Sequence, residues 1–329
     1  MNREISSRIL GSKGLNEKEI KNYYKRLKNL RQAIAKGKLC GNIVERFFEL
    51  EGGFRFFYQE WLHEQIALSL PPKKIVLVFH GAYGCSDLFY PLADVLTNQG
   101  ALVVGIDYRG HGRTAGYAGG QLGDIERFSQ IFEDIEHLLY HYKKLYDIPI
   151  FLLGYDLGGL IAMNIAERNP KSNIEGLVLI SPLLKLKKQF KHLLLYPFIS
   201  MGRMVVKHDP VQRVLKEELY PTYYEEYRQF ATDDPFRLKK MSLRMFQKIL
   251  DLIYSSTRII SKLSYPCFIF QGTADNIVDH IAIEKYFHKW PHPQKKIRLY
   301  QKGGHNLLMD KYTSEIYEEI IKFLGLRDE

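Results

Sequence analysis

The stretch Phe151-Leu152-Leu153-Gly154-Tyr155-Asp156-Leu157-Gly158-Gly159 decides how this chain is read. An apolar strand turns sharply there into a helix that continues to Arg168. Glycines flank the turn because a strained corner leaves no room for larger side chains. Such a corner lifts its central residue clear of the chain as a nucleophile, and that residue is ordinarily a serine activated by a histidine. Asp156 stands there instead. Its carboxylate is ionised at neutral pH and has no proton to lose.

On both sides of the corner, apolar strands alternate with amphipathic helices. Lys74 to Phe79, Ala101 to Asp107, Ile148 to Gly154 and Ile174 to Ser181 read as strands. Leu88 to Asn98, Asp124 to Lys144 and Leu157 to Arg168 read as the helices between them. The alternation resumes with a strand at Tyr265 to Gln271, a helix at Ile281 to Lys289, a strand at Lys296 to Tyr300 and a helix at Ser314 to Leu324. Continuous apolar strands separated by helices predict an α/β fold with a mostly parallel sheet, covered on both faces. Upstream, Glu45 to Leu50 and Phe54 to Trp61 flank Gly52-Gly53, which predicts a β-hairpin. From about Pro182 to Met241 the alternation stops. This stretch is rich in Leu, Lys, Tyr and Phe, has no strand-like run, and predicts a helical cap inserted between the sixth and seventh strands.

With 329 residues and 46 % hydrophobic content, the chain can bury a large core and suits one α/β domain with insertions. The expected organisation is a basic helical extension over 1–44, core over 45–182, cap over 183–250 and the rest of the core over 251–329. Residues 1–44 carry eleven Lys/Arg against three Asp/Glu, so most of the formal +10 charge sits in the extension. Asn16 to Lys36 reads as an amphipathic helix with Ile20, Tyr23, Tyr24, Leu27, Leu30 and Ile34 on one face. That face either packs on the body or meets a membrane surface or partner. No recognition motif accompanies the charge, so nucleic acid is not an expected partner. Cys40, Cys85 and Cys267 are too scattered for a disulfide framework or a metal site, which points to a reducing, cytoplasmic setting. Met1 to Gly14 lacks the apolar centre of a signal peptide, and no run is long enough to span a bilayer. No cofactor is expected.

Four signals fall in a meaningful order. His80-Gly81-Ala82-Tyr83-Gly84 follows a strand and can aim a backbone N–H at a developing oxyanion. The Asp156 corner comes second, where the N–H of Leu157 opens a helix whose N-terminus favours negative charge. Gln271-Gly272-Thr273-Ala274-Asp275 ends a later strand in a turn bearing an acid, and Gly303-Gly304-His305 follows the last strand. Nucleophile, acid and histidine, each at the carboxyl end of a strand, is the order of the α/β-hydrolases.

On these residues the chain resembles the monoacylglycerol lipase and lysophospholipase-like branch of the α/β-hydrolases, also called serine aminopeptidase-like. The resemblance runs from about Arg46 to Leu324. Besides the four signals it includes Asp107-Tyr108-Arg109-Gly110-His111-Gly112, Gly176 to Pro182 and Asp233-Asp234-Pro235-Phe236. It implies an α/β-hydrolase fold, a catalytic set of Asp156, Asp275 and His305, and oxyanion donors at the backbone of Ala82 and Leu157. It also implies a lipophilic ester-type substrate, which the apolar cap residues Leu183, Leu184, Leu186 and Phe190 suit. Arg109 and His111 map to a structural loop. Ser86 is a substitute hydroxyl, but it lies past the oxyanion loop and off the corner.

The carboxylate alters the chemistry. Attack on an ester would give a mixed anhydride, and the better leaving group, the carboxylate, would depart again before the alkoxide. Against sp3 carbon, in an epoxide or alkyl halide, attack would give an alkyl ester of Asp156. His305, oriented by Asp275, would then activate water against that ester. Haloalkane dehalogenases and epoxide hydrolases of this fold use aspartate this way, but they place tryptophan after it, where this chain has Leu157. Tyr196, Tyr220, Tyr223, Tyr224 and Tyr227 are the cap phenols available to a leaving group. A third expectation is a lipid-binding protein that does not cleave. In every case His305 lies between two carboxylates, which predicts a raised pKa.

Overall fold

The computed structural model describes residues 42–63, 71–117, 122–187, 210, 211, 234 and 236–327. The helix expected at Asn16 to Lys36 and the five cap tyrosines lie outside these residues. Strands β1 (Asn42–Glu49) and β2 (Arg55–Leu62) form the predicted hairpin. Gly52 and Gly53 at its turn have φ of +88° and +80°, a backbone that glycine alone adopts at no steric cost. Phe48 and Phe56 stack across the pair with ring centroids 5.2 Å apart.

β2 continues antiparallel onto β4 (Ala101–Ile106). The parallel part holds β3 (Lys74–Phe79), β4, β5 (Ile150–Tyr155), β6 (Ile174–Ile180), β9 (Cys267–Gly272) and β10 (Lys295–Tyr300). The eight-stranded order is β1-β2-β4-β3-β5-β6-β9-β10. Every residue of β4, β5 and β9 is buried, as the unbroken apolar runs of β4 and β5 and the Cys267 to Phe270 run of β9 predict for strands covered on both faces. β10 lies at the sheet edge and exposes Lys296 and Arg298 on alternate positions.

Helices α1 (Tyr90–Thr97), α2 (Gly112–Tyr117), α3 (Phe128–Tyr146), α4 (Leu157–Arg168), α5 (Leu243–Ile259), α6 (His280–Lys289) and α7 (Thr313–Phe323) cover the sheet. Ile75, Leu77 and Phe79 of β3 face one core cluster with α3, α4, α5 and α6, whereas Val76 and Val78 face a second with α1 and α7. This alternation follows from the two-residue period of a strand.

α5 runs unbroken through position 250, so the expected end of the insertion falls inside one helix. Ser242 caps it, its Oγ accepting from Met245 N at 2.9 Å, and Asn164 of α4 donates to Ser256 at 2.8 Å. β7 (Pro210–Val211) and β8 (Met241–Ser242) form a two-residue antiparallel ladder in the stretch where only helices were expected. Two residues carry no readable alternation. No helix among the described residues is long and apolar enough to cross a membrane.

Candidate active site

The corner between β5 and α4 is built by close backbone approach. A Cβ on Gly158 would lie 1.9 Å from Phe79 O, and one on Gly154 2.2 Å from Gly158 O. Asp156 between them has φ 54° and ψ −118°, a backbone that non-glycine residues adopt only when their surroundings impose it. Three backbone bonds impose it here. Asp156 N–H donates to Ile180 O at 3.0 Å, and Asp156 O accepts from Gly159 and Leu183 at 3.0 and 3.1 Å.

The three side chains named from sequence converge. His305 Nδ1 lies 2.8 Å from Asp275 Oδ2, and His305 Nε2 lies 3.5 Å from Asp156 Oδ1. Asp275 sits in the turn after β9, where its Oδ1 accepts from the N–H groups of Ile277 and Val278 at 2.8 and 2.9 Å. His305 and Asp275 are fully buried and Asp156 is 3 % exposed.

The other oxygen of Asp156 has its own partner. Ala82 N–H donates to Asp156 Oδ2 at 2.8 Å, so the residue expected to bind an oxyanion already binds the carboxylate of the corner. Gly81 makes this contact feasible, since a Cβ there would lie 2.7 Å from the same oxygen. Leu157 opens α4, so its N–H has no acceptor within the helix. The carboxylate therefore bridges the oxyanion loop and the imidazole.

Burial alone would push the His305 imidazole down. Asp275 and Asp156 outweigh it and raise the pKa to about 10. For Asp275, burial works upward, but the His305 charge and the two N–H donors leave it below its ordinary value. Because the folded pKa of His305 exceeds its unfolded value near ~6.5, the stability it contributes is complete below that pH. It is lost as pH rises through the folded value. We expect the His305 nitrogens to report an imidazolium from pH 6 to 8 in ¹⁵N NMR. Titration at the ordinary histidine value would mean that the ring does not lie between two carboxylates.

Three further groups hold the site. Ser181, at the end of β6 with φ 46°, donates its Oγ to His305 O at 2.7 Å and fixes the histidine loop. Gln271 Nε2 donates to Asp275 Oδ2 at 2.8 Å. Both lie in motifs quoted from the sequence, but nothing local marks them as supports. His111 is fully buried, with Nε2 3.0 Å from Ala82 O and Nδ1 3.1 Å from Arg109 O, so it braces the oxyanion loop without reaching Asp156. Arg109 forms a two-point ion pair with Asp134 at 2.7 and 2.8 Å. Ser86 is fully buried and its Oγ donates to Asp107 at 2.7 Å, which leaves it a structural hydroxyl.

A profile of the family described as serine aminopeptidase, S33, matches residues 70–312. A monoglyceride lipase homolog of Monkeypox virus is 27 % identical over 252 residues, covering 76 % of this chain and 87 % of that protein. Human monoglyceride lipase is 25 % identical over 270 residues, covering 78 % and 84 % of the two chains. Among solved structures, a soluble variant of Saccharomyces cerevisiae monoglyceride lipase with a substrate analog superposes at TM-score 0.76. It shares 22 % identity and covers 89 % of this chain and 98 % of that one. Monoacylglycerol lipase of Paleococcus ferrophilus superposes at TM-score 0.70 with 20 % identity, over 83 % and 99 % of the two chains. The motifs, the sheet order and the match over most of the length agree: the chain belongs to the serine aminopeptidase S33 family of α/β-hydrolases, alongside the monoglyceride lipases.

Proposed function

We propose that this chain hydrolyses a lipophilic substrate by attack of Asp156 on an sp3 carbon, through an ester between the enzyme and the alkyl group. One observation carries the reading: the Asp156 carboxylate is divided, Oδ2 on Ala82 N–H at 2.8 Å and Oδ1 toward His305 Nε2 at 3.5 Å. Oδ1 attacks the carbon of an epoxide or alkyl halide, and the C–O or C–halogen bond breaks. Asp156 then carries no charge. His305 loses one of the two carboxylates that hold its proton, and releases that proton to the new alkoxide or to water. The neutral imidazole takes a proton from a water molecule that attacks the ester carbon. Negative charge develops on Oδ2, which Ala82 N–H already holds. Collapse expels the alcohol and restores the carboxylate, now bearing one oxygen from water.

A second reading has its own support. Relatives covering most of this chain are named monoglyceride lipases, which favours a carboxylic ester as the bound molecule. With Ala82 N–H occupied and His305 protonated, such an ester meets neither an open oxyanion hole nor a base, and the site holds it without cleaving it. The net positive charge of residues 1–44 supports peripheral contact with an anionic membrane surface in either case.

Single-turnover reaction with a long-chain epoxide in ¹⁸O-water separates the two. Label in the peptide containing Asp156 is expected from the alkyl-ester route. Turnover with label only in the diol would end that route, and binding of a monoacylglycerol without turnover of either substrate would favour the second reading.

A further inference from the structure

Asp147 and Asp156 are the two aspartates among the described residues with positive φ, at 47° and 54°. Their ψ angles separate them. Asp147, which follows α3, has ψ 40°, whereas Asp156 has ψ −118°. Around the Cα–C bond of an L-residue, Cβ is turned about 120° from the backbone nitrogen. A ψ of −118° therefore eclipses the Asp156 Cβ with the nitrogen of Leu157. Helical and extended residues, with ψ of about −42° and about +135°, hold the next nitrogen well away from Cβ. Asp147 does the same. At Asp156 the backbone already has the torsion that a five-membered ring through Cγ and Leu157 N requires, so closure needs only side-chain rotation.

The groups around Asp156 fit such a closure. Leu157 N–H stands at the start of α4 and has no acceptor within the helix, so its use costs no helical bond. Ala82 N–H donates to Asp156 Oδ2 at 2.8 Å, where a tetrahedral adduct at Cγ would carry its negative charge. Oδ1 lies 3.5 Å from His305 Nε2, and Asp275 holds the other ring nitrogen at 2.8 Å. Against the burial that would lower it, Asp275 and Asp156 raise the His305 pKa to about 10, so the ring has a proton to give a departing oxygen. Asp147 lies at the surface, and its carboxylate accepts from Asn173 at 2.9 Å.

We propose that Asp156 closes onto Leu157 as a succinimide, a modification of the corner carried out by the site's own groups. Leu157 N bonds to Cγ and the Cγ–Oδ1 bond breaks. The oxygen leaves as water, with one hydrogen from Leu157 N–H and one from His305, so no other reactant is needed. The ring removes the carboxylate from between Ala82 N–H and His305 and silences Asp156 as a nucleophile. Water attacking Cγ, with the neutral His305 as base and Ala82 N–H on the oxygen, restores the aspartate. Water attacking the backbone carbonyl instead leaves isoaspartate. The main chain then runs through Cβ, and the corner is lost. The inference needs no turnover and stands whichever substrate the site takes.

Hydroxylamine opens a succinimide to a hydroxamate and leaves a free carboxylate unchanged, so it reads the ring directly. The full chain is incubated with hydroxylamine at neutral pH, without substrate, and the peptides containing Asp156 and Asp147 are compared by mass spectrometry. Asp156 is expected to gain hydroxamate at least about tenfold faster than Asp147, because its ring torsion is set in advance. In denaturant neither residue keeps its ψ, and the difference is expected to vanish. Equal or slower labelling of Asp156 in the folded chain overturns the proposal. So does an advantage that survives denaturation, since the corner would then not be its cause. With no epoxide or halide present no alkyl ester can form, so either result leaves the alkyl-ester route to its own test.

Discussion

Asp156→Ser is expected to hydrolyse long-chain acyl esters about a thousandfold faster than the unaltered chain. Two effects act together. Serine has one side-chain oxygen, so Ala82 N–H, now 2.8 Å from Asp156 Oδ2, is released to bind the oxyanion of a tetrahedral intermediate. His305 also loses the carboxylate 3.5 Å from its Nε2, so its pKa falls from about 10 and the imidazole becomes an available base. The remaining parts are in place, with Asp275 holding Nδ1 at 2.8 Å and Ser181 holding the backbone of His305. The smaller side chain fits the corner without displacing Gly81. The measurement is kcat/KM on a monoacylglycerol for both proteins, with circular dichroism to confirm folding. A folded variant that stays inactive would mean that the N–H groups of Ala82 and Leu157 do not form an oxyanion hole.

His305→Gln is expected to trap the enzyme as its alkyl ester. Asp156 needs no base to attack sp3 carbon, so the first step survives. Hydrolysis of the ester needs a proton acceptor for water, and its loss costs about a thousandfold. Mass spectrometry after incubation with a long-chain epoxide should then find the alkyl adduct on the peptide containing Asp156. Glutamine leaves Asp275 buried without its cation, which destabilises by about 3 kcal/mol or more, so thermal unfolding must be followed alongside. Undiminished epoxide turnover, or a folded variant that never gains mass, would rule out the proposed intermediate.

The folded architecture was largely legible in the sequence. Ile75 to Phe79, Ala101 to Ile106 and Ile148 to Gly154 are uninterrupted apolar runs, and a strand of that composition must be covered on both faces. Gly52-Gly53 marked the hairpin through the one conformation that reversal needs. The helix Leu243–Ile259 was harder to divide, because its amphipathic pattern says that one face is buried but not which layer buries it.

Residue types at strand ends placed Asp156, Asp275 and His305 on one rim, since a parallel sheet aligns the carboxyl ends of its strands whatever the intervening loops do. What the side-chain oxygens of Asp156 do was settled only by tertiary structure. Which oxygen meets Ala82 N–H and which meets His305 depends on side-chain torsion and on backbone drawn from three separate strand ends. The same holds for Ser181 and His111, whose partners are 124 and 29 residues away along the chain. Local sequence specifies which elements form and which residue types stand at their ends. Contacts between residues that far apart exist only once the sheet has closed its layers, because packing then determines where each polar group finds its partner.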